Sequence, residues 1–243
     1  MKHVKIMGIP FTHITHRTLV QKLEEHIRLG EKSFIITANP EIVMHANADY
    51  EYMRSIHKAN YITADGIGII RASQLMKEPL PERVTGYDVM IDMLEIAEKE
   101  QYKIFLLGAH PDVLNRVEAN IQKYYPNVEI VGKHDGYFDW NHNDVAEQVK
   151  EANPDLTFVA LGAPKQEKWI AQNIDQFEKG VFLCVGGSFD VIGGVVKRAP
   201  AYWRNNDIEW LYRLLKQPKR WRRMLALPRF AYRVIKQKLK GCL

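Results

Sequence analysis

Residues 1–196 predict an α/β domain, a mostly parallel sheet covered by helices on both faces, and residues 197–243 predict a basic helical appendage to it. Three observations lead there. Short apolar, β-branched runs alternate along the chain with amphipathic stretches, which is the order of repeated βαβ units. The strand-like runs are apolar throughout, not at every second residue, as strands buried on both faces require. From Lys197 onward, fourteen Lys or Arg stand against only Asp207 and Glu209, a net charge of +12. The first 196 residues hold twenty Lys or Arg against twenty-seven Asp or Glu, a net of −7. The formal +5 of the whole chain therefore hides an acidic body joined to a basic tail.

Strands are expected over residues 4–9, 34–38, 61–64, 103–107, 129–131, 156–161 and 181–185. Helices are expected over 18–29, 41–47, 50–58, 68–76, 87–100, 112–124, 143–151, 165–176 and 188–192, where apolar residues return with a helical period. Together they predict a Rossmann-like arrangement. In the tail, residues 207–217 place Ile208, Leu211, Leu214 and Leu215 on one stripe, and Pro218 ends that helix. A Trp/Arg-rich segment over 219–227 runs to Pro228. A last stretch over 229–240 sets Phe230, Val234, Ile235 and Leu239 near one face, with Arg229, Arg233, Lys236 and Lys240 elsewhere. Short basic amphipathic helices of this kind predict surface attachment, not a second core.

At 46% hydrophobic residues the chain can bury a full core. The start, MKHVKIMGIPFTHITHRT, has no uninterrupted apolar stretch and predicts no signal peptide. No run approaches the roughly 18 apolar residues of a membrane span. Cys184 and Cys242 lie far apart without metal-binding spacing, which fits a reducing cytoplasm. The charge asymmetry points to a polyanion: nucleic acid, anionic lipid or a phosphorylated substrate.

In open α/β sheets, ligands bind beyond the carboxyl ends of the strands. The residues there are Thr37 to Glu41, Asp65 to Gly68, Gly108 to Pro111, Gly162 to Glu167 and Gly186 to Asp190. Plainer readings stand beside the functional one: Gly108 and Gly162 as turn residues, Asp65 as a helix cap, Asn39-Pro40 as a turn pair. Gly66-Ile67-Gly68 lacks the third glycine of a dinucleotide fingerprint, since position 71 is Arg71. There is no Gly-x-x-x-x-Gly-Lys loop and no Asp-x-Asp pair to hold a metal on a diphosphate. A group leaving as a nucleoside diphosphate then needs Arg or Lys to meet its charge. The tail offers Arg213, Arg220, Arg222 and Arg223, each of which taken alone reads more readily as a solvated or lipid-facing charge, though as a group across the Pro218 bend they could fold back over the sheet edge.

An ordered set of motifs runs through the chain. It begins with Thr37-x-Asn39-x-Glu41, Asp65-Gly66-x-Gly68, Glu82-Arg83-x-x-Gly86-x-Asp88 and Asp135-Gly136-Tyr137-Phe138. It continues with Gly162-x-Pro164-Lys165-Gln166-Glu167-x-Trp169, Gly186-Gly187-x-Phe189-Asp190, Arg198-Ala199-Pro200, Glu209-Trp210-x-x-Arg213-Leu214 and Pro218-x-Arg220-x-x-Arg223. Each is weak alone. Together they closely resemble the WecG/TagA/CpsF family of glycosyltransferases over nearly the entire chain.

The resemblance implies an inverting, metal-independent transferase that needs no cofactor. It would move a hexosamine from a UDP-sugar donor to an undecaprenyl-diphosphate-linked sugar on the cytoplasmic face of the cell membrane. In the branch this sequence looks most like, N-acetylmannosamine passes from UDP to GlcNAc-diphospho-undecaprenol, making the linkage unit of wall teichoic acid; other branches use the corresponding uronic acid or make capsular polymers. The resemblance implies Asp65 as catalytic base and Thr37 beside the reacting sugar. Asn39, Arg83 and Gln166 would line the cleft, and Arg213, Arg220 and Arg223 would close over the diphosphate. Tyr137, Gly186 and Asp190 are expected in the nucleotide pocket. The tail would both dock on an anionic membrane and complete the active site, and a homo-oligomer stays open. Two readings of other classes remain beside it: a nucleic-acid-binding protein and a non-catalytic UDP-sugar sensor.

Overall fold

The computed structural model describes residues 1–140, 144–218 and 221–240, except the side chains of residues 205, 222 and 240. It opens with a hairpin, β1 (His3–Ile6) and β2 (Ile9–Thr12), where the sequence predicts one strand over residues 4–9. The turn is Met7-Gly8, with φ of 47° and 87°. Two positive φ values give the twist a tight hairpin needs, but only Gly8 advertises it. α1 (His16–Leu29) follows, begun by the Thr15 side chain accepting from Thr18 N–H and ended by Gly30.

The other six expected strands are all present and form one parallel sheet. They are β3 (Lys32–Ala38), β4 (Tyr61–Ala64), β5 (Lys103–Gly108), β6 (Glu129–His134), β7 (Leu156–Ala160) and β8 (Gly180–Cys184), in the order β4-β3-β8-β7-β5-β6. Between them run α2 (Pro40–Ala46), α3 (Tyr50–Ile56), α4 (Ile67–Leu75), α5 (Gly86–Glu100), α6 (Pro111–Tyr124), α7 (Asp144–Ala152) and α8 (Lys165–Asn173). A 3-10 turn, Ile174–Gln176, continues α8, and α9 (Ser188–Ile192) follows β8.

Successive strand residues point to opposite faces and so serve two cores. Phe34, Ile36, Phe105, Leu107 and Phe182 face the hairpin, α2, α3, α4, α7 and α8. Ile35, Ile104, Leu106, Leu183 and Phe158 face α1, α5 and α6. This is why the strands read as continuously apolar.

The tail folds as α10 (Ala201–Asn205), α11 (Glu209–Lys216), α12 (Trp221–Met224) and α13 (Ala226–Lys240). Pro228 does not end a segment, as the sequence predicts, but lies in the first turn of α13. There a missing N–H costs nothing, because the first helical N–H groups have no intrahelical partner. Phe230 and Val234, one turn apart, are 3% and 2% exposed and join the core of the first face against α2 and α4. Each contributes about 1.5–3 kcal/mol by burial. Met7 N–H donates to the Gln237 side-chain carbonyl at 2.9 Å, so α13 is also strapped to the hairpin turn. Among the described residues, no helix is long and apolar enough to cross a membrane.

Candidate active site

The chain leaves β3, β4, β7 and β8 at one edge of the sheet and enters α2, α4, α8 and α9 there. The amino end of α5 comes to the same edge through Thr85, Gly86 and Tyr87. Free N–H groups and the partial positive charge of helix amino ends favour an anion at such a place.

Two cavities adjoin there. The first, about 200 Å³, is lined by Thr37, Thr85, Gly86, Gln166, Gly186, Ser188, Asp190, Lys197 and Arg198 among others. The second, about 130 Å³, is lined by Gly66, Ile67, Gly68, Arg83, Trp210, Met224, Ala226 and Leu227 among others. Asn39, Glu41, Asp65, Glu209, Arg213 and Arg223 line both, and so form the wall between them.

Asp65 follows β4, and its N–H donates to the Ala38 carbonyl at 3.0 Å. Burial pushes its carboxyl up to about 6, against the pull of Arg213 and Arg83 and with the help of Glu209 and Asp88. Among the described residues, no hydrogen bond or ion pair engages that carboxylate. It is not the cap of α4 either, since Gly66 holds that position without a side-chain bond. Arg83 stands nearby because Val84 N–H donates to the Ala64 carbonyl at 2.9 Å.

Thr37 is buried on β3, and its hydroxyl donates to the Cys184 carbonyl at 3.4 Å. A side chain on Gly86 would stand 2.8 Å from that hydroxyl and 3.2 Å from the Cys184 carbonyl, so only glycine lets α5 start there. Asn39 caps α2, accepting from Ile42 N–H at 3.1 Å, which leaves its NH2 for the cleft. Asn39 thus caps α2 and lines both cavities at once.

Gln166 is buried with both ends of its amide engaged. Its carbonyl accepts from Gly186 N–H at 3.2 Å, and its NH2 donates to Glu167 at 2.9 Å. Glu167 is fully buried, and burial raises its carboxyl above the usual range. This chain fixes Gln166 so that its second N–H is the one left for a ligand. Gly186 takes φ of 48°, a conformation that glycine enters freely. Asp190 lines the first cavity from α9.

From the tail, Arg213 pairs with Glu209 one turn before it, and Glu209 also accepts from Arg83 at 3.4 Å. Arg223 pairs with Glu41 of α2 at 3.0 Å. Arg220 lies outside the described residues, as does the side chain of Arg222. At the start of the tail, Arg198 pairs with Asp88 and lies over the Tyr87 ring, 4.2 Å from its centre.

Tyr137 is not brought into the cleft. It is 74% exposed and meets His110 edge-on. Gly136 N–H donates to the Ala109 carbonyl at 2.9 Å, which pins this segment at the β5–β6 end of the sheet. The cleft opens instead over β4, β3, β8 and β7. Glu41, Glu209, Gly86 and Arg198 are site residues the motif reading left without a role. The signal for two of them was the spacing: Glu209 and Arg213 stand four apart on a helix, and Glu41 sits in the first turn after Asn39.

Comparisons with known proteins show the family. The model of the glycosyl transferase WecG/TagA/CpsF family matches residues 4–242. An N-acetylglucosaminyldiphosphoundecaprenol N-acetyl-beta-D-mannosaminyltransferase of Bacillus subtilis (strain 168) is 41% identical over 240 residues, 98% of this chain and 93% of that protein. A protein of the same description from Staphylococcus aureus (strain MW2) is 39% identical over 239 residues, 98% of this chain and 94% of that one.

Proposed function

We propose that this chain, which belongs to the WecG/TagA/CpsF family of glycosyl transferases, moves N-acetylmannosamine from UDP to N-acetylglucosaminyl-diphospho-undecaprenol, with inversion and without a bound metal. The observation that carries the reading is the wall between the cavities, where Asp65, a carboxylate unpaired among the described residues, stands with the guanidiniums of Arg213 and Arg223 while Arg83 lines the second cavity beside it. The donor's nucleoside diphosphate belongs in the first cavity, against the helix amino ends, with Gln166 offering one N–H. The acceptor sugar belongs in the second, with its lipid leaving past Trp210, Met224 and Leu227.

Asp65 takes the proton of the acceptor hydroxyl while that oxygen bonds to the anomeric carbon of the donor. The bond from that carbon to the β-phosphate oxygen breaks, and its electron pair leaves with UDP. Arg213 and Arg223 meet the charge that develops there. A base that titrates near 6 is charged at neutral pH yet stronger than an ordinary carboxylate, which suits proton removal. Thr37 holds the strand end beside the reacting sugar.

The tail attaches the enzyme to the anionic cytoplasmic face of the membrane. Trp221, Leu215, Ile235 and Leu239 are exposed, and Arg229, Arg233 and Lys236 stand among them. Each cation near such a surface contributes about 1 kcal/mol.

The test is UDP release from UDP-N-acetylmannosamine with a lipid-diphosphate-GlcNAc acceptor, with and without EDTA. Release that requires the acceptor and survives EDTA supports the reading. Release with the uronic acid donor alone would move the enzyme to another branch, and silence across all UDP-hexosamines would end the transferase reading.

A further inference from the structure

Helix α11 brings a carboxylate as well as a guanidinium into the wall between the cavities. Glu209 is only 9% exposed, and it holds Arg83 of the body and Arg213 of its own helix. Those two cations are the ones whose attraction Asp65 feels. The charged groups acting on Asp65 include Arg83, which precedes α5, Asp88 in its first turn, and Glu209 and Arg213 from α11; Glu41 from α2, Arg223 from α12, Asp190 from α9, Lys197, Arg198 and Asp207 also line the cavities it borders. Three of these carboxylates have their own cations: Glu41 has Arg223, Asp88 has Arg198, and Glu209 has Arg83 and Arg213. Asp65, between those pairs, has no ion pair among the described residues.

We propose that Glu209 is a positioning residue for the transfer: by holding Arg83 and Arg213, it keeps both guanidiniums from closing on Asp65 and leaves that carboxylate free to accept a proton. The proposal rests on the reading of Asp65 as the base. An arginine fork closed on a carboxylate occupies the lone pairs that a proton needs and stabilises the charged form. The strand-end half of the site cannot prevent this by itself, because Arg83 is fixed beside Asp65 by the Val84–Ala64 backbone bond. The competing carboxylate arrives with the tail. Docking of α11 therefore supplies a cation for the diphosphate and also frees the base.

The test uses the full chain carrying Glu209→Gln, with Glu209→Asp and the double variant Arg83→Gln/Glu209→Gln beside it. Two quantities are read: the acid limb of kcat/KM for UDP release, and the Asp65 carboxyl titration by 13C NMR, assigned with Asp65→Asn. In the parent both should fall near the carboxyl value of about 6. Glu209→Gln should move both at least one unit lower and cut the plateau rate roughly tenfold. Glu209→Asp should restore most of the parent behaviour. The double variant should return the titration part of the way, because one of the closing cations is gone. A lower plateau with both quantities unmoved would mean that Glu209 only holds the tail, and would overturn the proposal. If the parent releases no UDP, the transferase reading fails, and the NMR titration, which needs no substrate, still decides whether Glu209 acts on Asp65. Should Glu209→Gln fail to fold, Glu209→Asp against the parent carries the same titration. Its longer reach to the arginines should shift Asp65 downward by a smaller amount, and no shift would overturn the proposal.

Discussion

The two halves of the site are built in opposite ways. The half on the sheet edge is held by backbone: Thr37 ends a buried strand, Asn39 caps a helix, and Gln166 is fixed at both ends of its amide. The half from the tail is held by ion pairs, Arg213 with Glu209 and Arg223 with Glu41, and by one buried stripe, Phe230 and Val234. Backbone-held groups keep their places whatever is bound. Groups held by ion pairs trade partners when an anionic ligand comes. The lesson is a division of labour, in which the sheet edge fixes one half and the other brings its guanidiniums only while the tail is packed on the body.

The largest effect should come from the rigid half. Asp65→Asn should cut turnover about a thousandfold, within the 10²–10⁴ range of a general base. The same change should raise thermal stability. A carboxyl lifted to about 6 by burial binds its proton more tightly in the folded chain than in the unfolded one. Stability therefore falls as pH rises from about 4 to 6, and the full cost, on the order of 2–3 kcal/mol, persists above that window. At pH 7.5 the Asn variant should melt several degrees higher; a lower melting point would show that Asp65 is not a strained charge.

Next comes the stripe that holds the tail. Phe230→Ala removes a buried ring, a change that typically costs 3–5 kcal/mol. The observable loss is capped at the docking energy of α13, because the helix detaches before the body unfolds. Turnover should fall about a hundredfold while far-UV circular dichroism keeps most of its signal. Global unfolding instead would mean that tail and body are one cooperative unit.

Arg213→Ala should lower turnover ten- to a hundredfold, the worth of one charge-assisted contact to a diphosphate. The product UDP should bind more weakly by a similar factor, measured by calorimetry. Smallest is Glu41→Gln. Its partner Arg223 is half exposed, and such pairs contribute about 1 kcal/mol or less. The KM for the donor should change less than fivefold; a larger change would move Glu41 into the rigid half.

Much of the fold was legible because its signals are local. The six sheet strands are apolar throughout, and Thr15, Gly30 and Asn39 mark helix ends in the expected way. The hairpin was not legible, because Met7 in the left-handed region is held by its neighbours and not by its own preference. Pro228 misled for a related reason: whether a proline breaks or begins a helix depends on where the helix starts. At the cleft, the strand-end rule pointed to Thr37, Asn39, Asp65, Gln166 and Gly186, and all five line the first cavity. Tyr137, expected in the pocket from the motif resemblance and not from that rule, lies instead at the β5–β6 end of the sheet, because a motif does not say which strand ends share one opening. Glu41 and Glu209 were harder, since their importance lies in which cation each one occupies, and that is a fact of three dimensions.

The sheet also separates unlike charges. Helix α5 on one face carries five carboxylates and one lysine, whereas α13 on the other carries five cations and no carboxylate. Near a negatively charged plane the molecule thus behaves as a weighted float that can settle one way up. The sheet and its two helix layers together are about 20 Å thick, more than twice the roughly 8 Å over which physiological salt screens charge. Once the basic face is down, the acidic face no longer feels the plane. Near such a plane an approach with α13 leading is therefore favoured over one with α5 leading, without any specific receptor.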